Sequence, residues 1–259
     1  MDSPAYDSLY DRQIRFVGLG EDGQRRLAGG AALIVGVGGL GSWQAELLVR
    51  AGVGRLRLVD DDRVEAVNLH RQALYEEADV GRLKVEAAAD RLGRLNPSIR
   101  VEPVAERIGP ANAERLAVGM DVILDGTDNF AARFLINDLS VRSGIPWVFG
   151  GVVEARGQVA TFVPGRTGCL RCLYDAPPKG VEEPRAATHG VLGPAVAAIA
   201  SLQALEAIKV LSENAERAVP CLLSLDLWSN VVRRIDLASA GPRDDCPCCK
   251  GRRFDHLQA

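Results

Sequence analysis

A glycine-rich turn near the beginning of the chain has the residue types and spacing of a nucleotide site. Gly36, Gly38 and Gly41 form the pattern G-x-G-x-x-G, with Gly39 inside it, and Asp60 ends the next apolar run. The first glycine of such a turn permits the sharp bend, the second lets the backbone approach a phosphate, and the third permits close helix–strand packing. The following helix N-terminus favours an anion, and the acid suits ribose hydroxyls. The stretch predicts a bound nucleotide without deciding which one; the alternative is a glycine turn that serves packing alone.

A second polar turn follows another apolar run. Thr127, Asp128 and Asn129 come directly after the predicted strand Asp121 to Leu124. Open α/β sheets bind ligands at the carboxyl ends of their strands, so this turn is predicted to join the nucleotide site. The alternative is that Asp128 or Asn129 caps the helix that follows, and both interpretations can hold together.

The connection from Arg63 to Gly81 is long and polar, and long loops in compact domains are often functional. It contains the run Asn68-Leu69-His70-Arg71-Gln72. Lys84 follows in the first turn of a predicted helix, Arg82 to Leu95. A cation there opposes the helix dipole, which indicates another use for it. The alternative is a solvated surface lysine.

The cysteines predict a metal site. They include two C-x-x-C pairs, Cys169 with Cys172 and Cys246 with Cys249. Four thiolates suit tetrahedral Zn²⁺, and four protein ligands leave no position for substrate, so the zinc is predicted to be structural. Cys248 permits a C-x-C alternative at the second pair, and Cys221 lies in an apolar strand as a plain core residue. A redox dithiol is the rival interpretation, but neither pair accompanies a thioredoxin-like unit.

The elements that must position these residues alternate as in a parallel α/β sheet. Strands are predicted at Ala31–Val35, Arg55–Val59, Ile99–Val104, Asp121–Leu124 and Pro146–Phe149, with helices at Ser42–Ala51, Arg82–Leu95, Asn112–Ala117 and Phe130–Arg142. From Gly150 the pattern changes to half-exposed strands and one long helix, at Gly157–Val163, Cys221–Asp226, Val231–Leu237 and Pro194–Leu211. The predicted fold class is α/β: a Rossmann-like, doubly wound, mainly parallel sheet continued by antiparallel strands, with a zinc-stapled C-terminal segment.

One domain is predicted over 1–259: an N-terminal arm (1–30), a nucleotide-binding half (31–150), and a half with the antiparallel strands, a crossover loop and the zinc site (151–259). The net charge of −3 argues against a nucleic-acid surface. The polar start lacks the features of a secretory signal, and the most apolar stretch, Gly190 to Leu211, contains charged residues. We therefore expect a cytoplasmic protein without a membrane span.

These features, taken together and in order, resemble the ThiF/MoeB/HesA family, bacterial relatives of ubiquitin-activating enzymes. The likeness covers essentially the whole chain and includes Tyr10-Asp11-Arg12-Gln13, the glycine turn, Asp60, Asn68 to Gln72, Lys84, Thr127-Asp128-Asn129, both cysteine pairs and Ser201 to Lys209. The resemblance implies adenylation of the C-terminal glycine of a small ubiquitin-like sulfur-carrier protein ending in Gly-Gly. ATP is consumed with Mg²⁺ as the cofactor, and pyrophosphate leaves. The route is thiamin or molybdopterin biosynthesis or another sulfur-carrier route, and residues 151–259 hold the carrier.

The resemblance also implies roles for individual residues. Arg71 and Lys84 match positions that bind the triphosphate, and Asp128 matches the aspartate that handles Mg²⁺. Arg12 matches an arginine that the second subunit of a homodimer contributes to the site. The residues implied in nucleotide binding are Gly36, Gly38, Gly39, Gly41, Asp60, Asn68, Arg71, Gln72, Lys84, Thr127, Asp128 and Asn129.

One departure from the family concerns a cysteine in the loop before the long helix, where this chain has Ala186. No cysteine lies between Cys172 and Cys221, so no covalent sulfur or thioester step is expected on this loop, and sulfur is expected from a separate persulfide donor. Two other functions compete with adenylation. The glycine turn with Asp60 alone suits an NAD-dependent oxidoreductase, and a non-catalytic zinc-stabilised binding module is the third hypothesis.

Overall fold

A computed structural model describes residues 4–174, 176, 186–213, 218, 221–237 and 241–258. Its helices are α1 (Pro4–Ile14), α2 (Gly20–Gly29), α3 (Gly39–Ala51), α4 (Lys84–Leu95), α5 (Ala113–Ala117), α6 (Phe130–Ser143), α7 (Leu170–Leu173), α8 (Ala186–His189) and α9 (Gly193–Leu211). Its strands are β1 (Ala31–Val35), β2 (Arg55–Val59), β3 (Arg100–Val104), β4 (Val122–Asp125), β5 (Trp147–Val153), β6 (Arg156–Phe162), β7 (Cys221–Asp226) and β8 (Val231–Asp236).

All eight strands form one sheet in the order β3-β2-β1-β4-β5-β6-β7-β8. The pairs from β3 to β5 are parallel, and those from β5 to β8 are antiparallel. Strand β1 is buried along its whole length because helices cover both faces of the parallel half. Buried side chains of α3, α4 and α9 share one core cluster, and those of α5 and α6 share another. This arrangement confirms the predicted mixed sheet with helices on both sides.

Most boundaries lie within two residues of the sequence predictions, and two differ by more. Helix α3 begins at Gly39 instead of Ser42, so part of the glycine pattern already belongs to the helix. Strand β5 continues past Phe149 to Val153, because its second half pairs with β6. The expected division between residues 150 and 151 therefore falls inside β5, and the sheet is continuous across it.

Helix α9 is, within the described part of the chain, the one helix long and apolar enough to cross a membrane. Its fully buried Gln203 donates hydrogen bonds to the Asp125 carbonyl (2.9 Å) and the Val148 carbonyl (3.3 Å). A polar side chain that binds the central strands marks α9 as the core helix of this sheet, as the charged residues in its sequence predicted.

Candidate functional site

A cleft of about 1940 Å³ opens at the carboxyl ends of the parallel strands. Among its lining residues are Gly36, Gly38, Gly39, Asp60, Asn68, Arg71, Gln72, Lys84, Thr127, Asp128 and Asn129. The structure thus brings together every residue implied in nucleotide binding except Gly41, which lies beneath the turn. Arg12 is not part of this lining; it lies on α1, where its side chain is 89% exposed and 3.7 Å from Asp11.

The glycine turn packs backbone against backbone with the turn that follows β4. Gly36 has a φ of +83°, and a Cβ atom there would lie 2.8 Å from the Gly126 carbonyl oxygen. A Cβ on Gly126 would lie 2.1 Å from the Gly36 oxygen, and one on Gly41 1.9 Å from the same atom. Gly41 therefore has the predicted packing role. Because their backbones touch, the glycine turn and the turn that carries Asp128 lie side by side in the cleft.

Val37, inside the glycine turn, is held by both of its backbone groups. Asp60 Oδ2 accepts a hydrogen bond from the Val37 N–H (2.6 Å), and the Tyr75 hydroxyl donates to the Val37 carbonyl (2.7 Å). Burial raises the pKa of the Asp60 carboxyl, and nearby Lys84 opposes that shift. Asp60 therefore orients the turn, and its remaining lone pairs are available to ribose hydroxyls. Sequence reasoning missed Tyr75, whose partner is remote in the chain.

Lys84 is a buried lysine, 5% exposed, whose Nζ lies 2.9 Å from Asp62 Oδ2. The surface-lysine alternative is therefore wrong. The ammonium group lies at the cleft wall because α4 begins at this residue, next to the end of β2. A buried ammonium group with one exposed carboxylate partner can bind a second anion, because the carboxylate can rotate into solvent and leave the ammonium group to that anion.

Arg71 is held by its own loop. Its guanidinium donates to Asn68 Oδ1 (2.8 Å) and to the Val67 carbonyl (3.1 Å), and it lies 2.8 Å from His70 Nε2. Burial lowers the pKa of this guanidinium, which stays charged at neutral pH. Asn68 thus orients the cation.

Gln72 follows as a buried side chain, 4% exposed, whose Oε1 has no hydrogen-bond partner in the part of the chain that the structure describes. Its Nε2 is the atom nearest to a Cβ built on Gly38, at 3.7 Å. This open space above Gly38 is where a phosphate would approach the backbone.

The turn after β4 is ordered by Asp125 and Asn129. Asp125 Oδ1 accepts hydrogen bonds from the Thr127 N–H (2.9 Å) and hydroxyl (2.6 Å). Asn129 Oδ1 accepts from the Ala132 N–H (2.9 Å), so the predicted cap of α6 is present. Asp128 lies between them, exposed and facing the cleft.

The two cysteine pairs meet although they are distant in the chain. The sulfurs of Cys169, Cys172, Cys246 and Cys249 lie within 4.8 Å of one another. The separations are 3.6 Å for Cys169–Cys246 and 3.5 Å for Cys172–Cys249, against about 3.8 Å between sulfurs of a tetrahedral zinc site. The donor set therefore fits Zn²⁺. Cys248, which is also buried, instead accepts a hydrogen bond from Asn137 Nδ2 (3.4 Å).

The neighbouring thiols raise one another's pKa values. The hydrogen bond with Cys169 and burial raise the pKa of Cys172 to about 12, and burial with the contact to Cys172 raises that of Cys249 to about 12. A divalent cation reverses this preference, because it stabilises the thiolates. Cys221 is buried in β7 as expected, and burial raises the pKa of its thiol.

Comparisons with known proteins show the family to which the chain belongs. Residues 10–248 match the ThiF family. The chain is 40% identical over 250 residues to a sulfur carrier protein ThiS adenylyltransferase of Bacillus subtilis, covering 96% of this chain and 73% of that protein. It is 38% identical over 249 residues to a SAMP-activating enzyme E1 of Haloferax volcanii, covering 96% and 91%.

A third relative, a sulfur carrier protein adenylyltransferase of Thermus thermophilus, is 41% identical over 245 residues, covering 93% of this chain and 89% of that protein. Among solved structures, E. coli MccB with MccA-N7isoASN superposes with a TM-score of 0.83, 23% identity, and coverage of 94% of this chain and 74% of that chain. At this sequence identity the superposition shows a shared fold and nothing about function. The chain belongs to the ThiF family.

Proposed function

We propose that this protein adenylates the C-terminal glycine of a ubiquitin-like sulfur-carrier protein and releases pyrophosphate. One observation carries the proposal: two positioned cations, Arg71 and Lys84, and the carboxylate of Asp128 face the same cleft as the glycine turn. Nucleotidyl transfer needs such cations because the attacking carboxylate and the triphosphate are both anionic. The relatives named as sulfur-carrier adenylyltransferases support it.

In this reaction a carboxylate oxygen of the carrier's terminal glycine attacks the α-phosphorus of ATP. The bond between the α-phosphorus and the bridging oxygen breaks, pyrophosphate leaves, and an acyl-adenylate remains. Asp60 holds the ribose, the backbone around Gly38 receives the phosphates, and Arg71 and Lys84 stabilise the charge that develops on pyrophosphate. Asp128 would hold Mg²⁺, which neutralises phosphate charge when bound.

The carrier tail enters along β6 and β7, where Gln158 and Ser224 line the cleft.

An assay of ATP–pyrophosphate exchange tests this proposal. Exchange is expected with a carrier protein ending in Gly-Gly and not with the same carrier lacking its terminal glycine. ATP with Mg²⁺ should raise the melting temperature through mass action, whereas NAD should leave it unchanged. Stabilisation by NAD alone would favour the oxidoreductase hypothesis, and no response to any nucleotide would favour the binding module.

We further propose a homodimer in which Arg12 completes the partner's cleft. Its support is position: Arg12 is a highly exposed cation outside the lining of its own chain's cleft. Mixing inactive Arg12→Ala and Asp128→Ala proteins should restore about a quarter of wild-type activity, because random exchange makes half of the dimers mixed and each mixed dimer has one complete site. Mixed dimers that are confirmed by native mass spectrometry but stay inactive would contradict the shared site.

Catalysis on this chain is expected to stop at the acyl-adenylate, with sulfur arriving from a separate persulfide donor. Residues 175 and 177–185 of the crossover loop, and the side chain of Ala186, lie outside the described residues. Thr188 lines the cleft, and its hydroxyl lies 2.8 Å from His189 Nδ1. His189 is a base within reach of this hydroxyl, but both side chains are exposed, so water competes with the hydroxyl for an activated acyl group and we expect no stable ester there.

Intact mass of enzyme, carrier and ATP under non-reducing conditions checks this expectation: no covalent carrier–enzyme adduct should appear. A thiol-sensitive adduct on Cys221 or Cys248, or a hydroxylamine-sensitive one on Thr188, would contradict it. We place the reaction in the cytoplasm, where a reducing environment keeps cysteines available to a metal, in thiamin or molybdopterin biosynthesis.

A further inference from the structure

A buried ion pair lies directly behind the Asp128 turn. Asp125, the last residue of β4, is completely buried, and its Oδ2 lies 3.1 Å from Nε of Arg133 in the first turn of α6. Arg133 is itself 9% exposed and borders the cleft. A cation in the first turn of a helix opposes the helix dipole, as Lys84 does, so its position calls for a partner and a use.

The pair fixes both peptide planes that flank Thr127. Asp125 accepts hydrogen bonds from the Thr127 N–H and hydroxyl. Arg133 Nη2 donates to the Thr127 carbonyl (3.1 Å), which belongs to the peptide bond that joins Thr127 to Asp128. The direction in which Asp128 leaves the backbone is therefore set by the ion pair.

The guanidinium is in turn fixed from three sides. Arg133 Nη2 also donates to the Gly150 carbonyl (3.1 Å) in β5, and its central carbon lies 5.4 Å from the Phe130 ring and 5.2 Å from the Phe149 ring. Aromatic contacts on a planar cation and hydrogen bonds in its plane suit arginine and not lysine. The backbone carbonyl of Asp125 receives two further bonds, from Gln44 (3.0 Å) and Gln203 (2.9 Å).

We propose that Arg133 and Asp125 are positioning residues that aim the Asp128 carboxylate at the divalent cation of MgATP. This inference rests on the proposed function. Both residues act on the reaction through Asp128 and not through contact with the substrate. A group that orients a metal ligand affects metal binding more than it affects nucleotide binding. The expected defect is therefore specific to Mg²⁺.

Arg133→Lys tests the proposal because it keeps the positive charge and removes the planar guanidinium group with its set of hydrogen bonds. Arg57→Lys is the matched control. Arg57 donates a similar set of hydrogen bonds, to the Glu102 carboxylate (2.9 Å) and to the carbonyls of Leu116 (2.7 Å) and Val118 (3.2 Å). It is not part of the cleft lining. Both variants lose a comparable set of hydrogen bonds, so a general loss of stability would affect them equally.

The first measurement is the rise in melting temperature with ATP in a buffer that contains neither Mg²⁺ nor chelator, so that the four-cysteine site keeps its metal, and with ATP and Mg²⁺. Arg133→Lys should keep the rise with ATP alone and lose at least half of the additional rise with Mg²⁺, whereas Arg57→Lys should keep both. The second measurement is ATP–pyrophosphate exchange, in which the Mg²⁺ concentration for half-maximal rate should increase roughly 10–100-fold for Arg133→Lys. Equal Mg²⁺ responses in the two variants would overturn the inference.

Asp125→Asn provides a second test of the pair where Arg133→Lys does not fold, since it removes the charge at the other end with little change in volume. It should show the same selective loss of the Mg²⁺ response, and a normal response would overturn the inference. Wild-type protein without exchange activity on any Gly-Gly carrier would refute the proposed function instead. The melting comparison, which needs no carrier, would still decide the positioning role.

Discussion

Replacing Lys84 by methionine is expected to lower the rate of ATP–pyrophosphate exchange by roughly 10²–10³-fold, the loss typical of one preorganised group that stabilises transition-state charge. Methionine keeps the apolar stem that α4 buries and removes only the ammonium group. The fold should tolerate this change, because Asp62, the partner of Lys84, is 59% exposed and can be hydrated.

Lys209→Met is a suitable control for this experiment. Lys209 is also a helical lysine paired with a carboxylate, Glu206, but it lies on α9 outside the cleft lining. We expect Lys209→Met to retain the exchange rate of the wild type within about twofold, because the half-buried ion pair that it removes lies away from the cleft. Lys84→Met activity equal to that of the control would remove Lys84 from the proposed mechanism.

Cys246→Ser is expected to cause the largest loss of stability, more than about 4 kcal/mol, because it removes a metal ligand. For a domain of this size that corresponds to a fall in melting temperature of roughly 10 °C. Cys248→Ser should cost far less, because Cys248 lies outside the group of four mutually close thiols. Its sulfur contacts the Asn137 amide at 3.4 Å and the Cys169 thiol, and a hydroxyl can replace it in both contacts.

Metal analysis separates the two variants further. Wild type and Cys248→Ser should contain about one zinc per chain, and Cys246→Ser should contain much less. A strong chelator should lower the melting temperature of the wild type to that of Cys246→Ser. Equal stability losses in the two serine variants would show that the assignment of Cys246, in preference to Cys248, is wrong.

The strands and the glycine turn could be predicted because their signals are local. Ala31–Val35 is a continuous apolar run, and Gly36 with Gly41 has a spacing that the backbone itself requires. The Asn129 cap was likewise predictable from one polar residue in front of a helix. In these cases the interacting groups lie within a few residues of each other.

The contacts that orient the site were not predictable because they join remote parts of the chain. Tyr75 binds Val37 at a separation of 38 residues, and Gln203 binds Asp125 at a separation of 78. Such partners depend on how β1, β4 and α9 pack, which no local pattern encodes. Arg133 did carry a local signal, a cation in the first turn of a helix, of the kind that singled out Lys84.

The cysteine cluster has a consequence for the order of folding. Cys169 and Cys246 are 77 residues apart, and α9, β7 and β8 lie between them. Closing a loop of that length is entropically costly until the intervening elements have packed, whereas the βαβ contacts of the first half are closed by much shorter segments. Metal capture is therefore expected as a late event in refolding, one that locks an already formed sheet and slows its unfolding more than it speeds its formation.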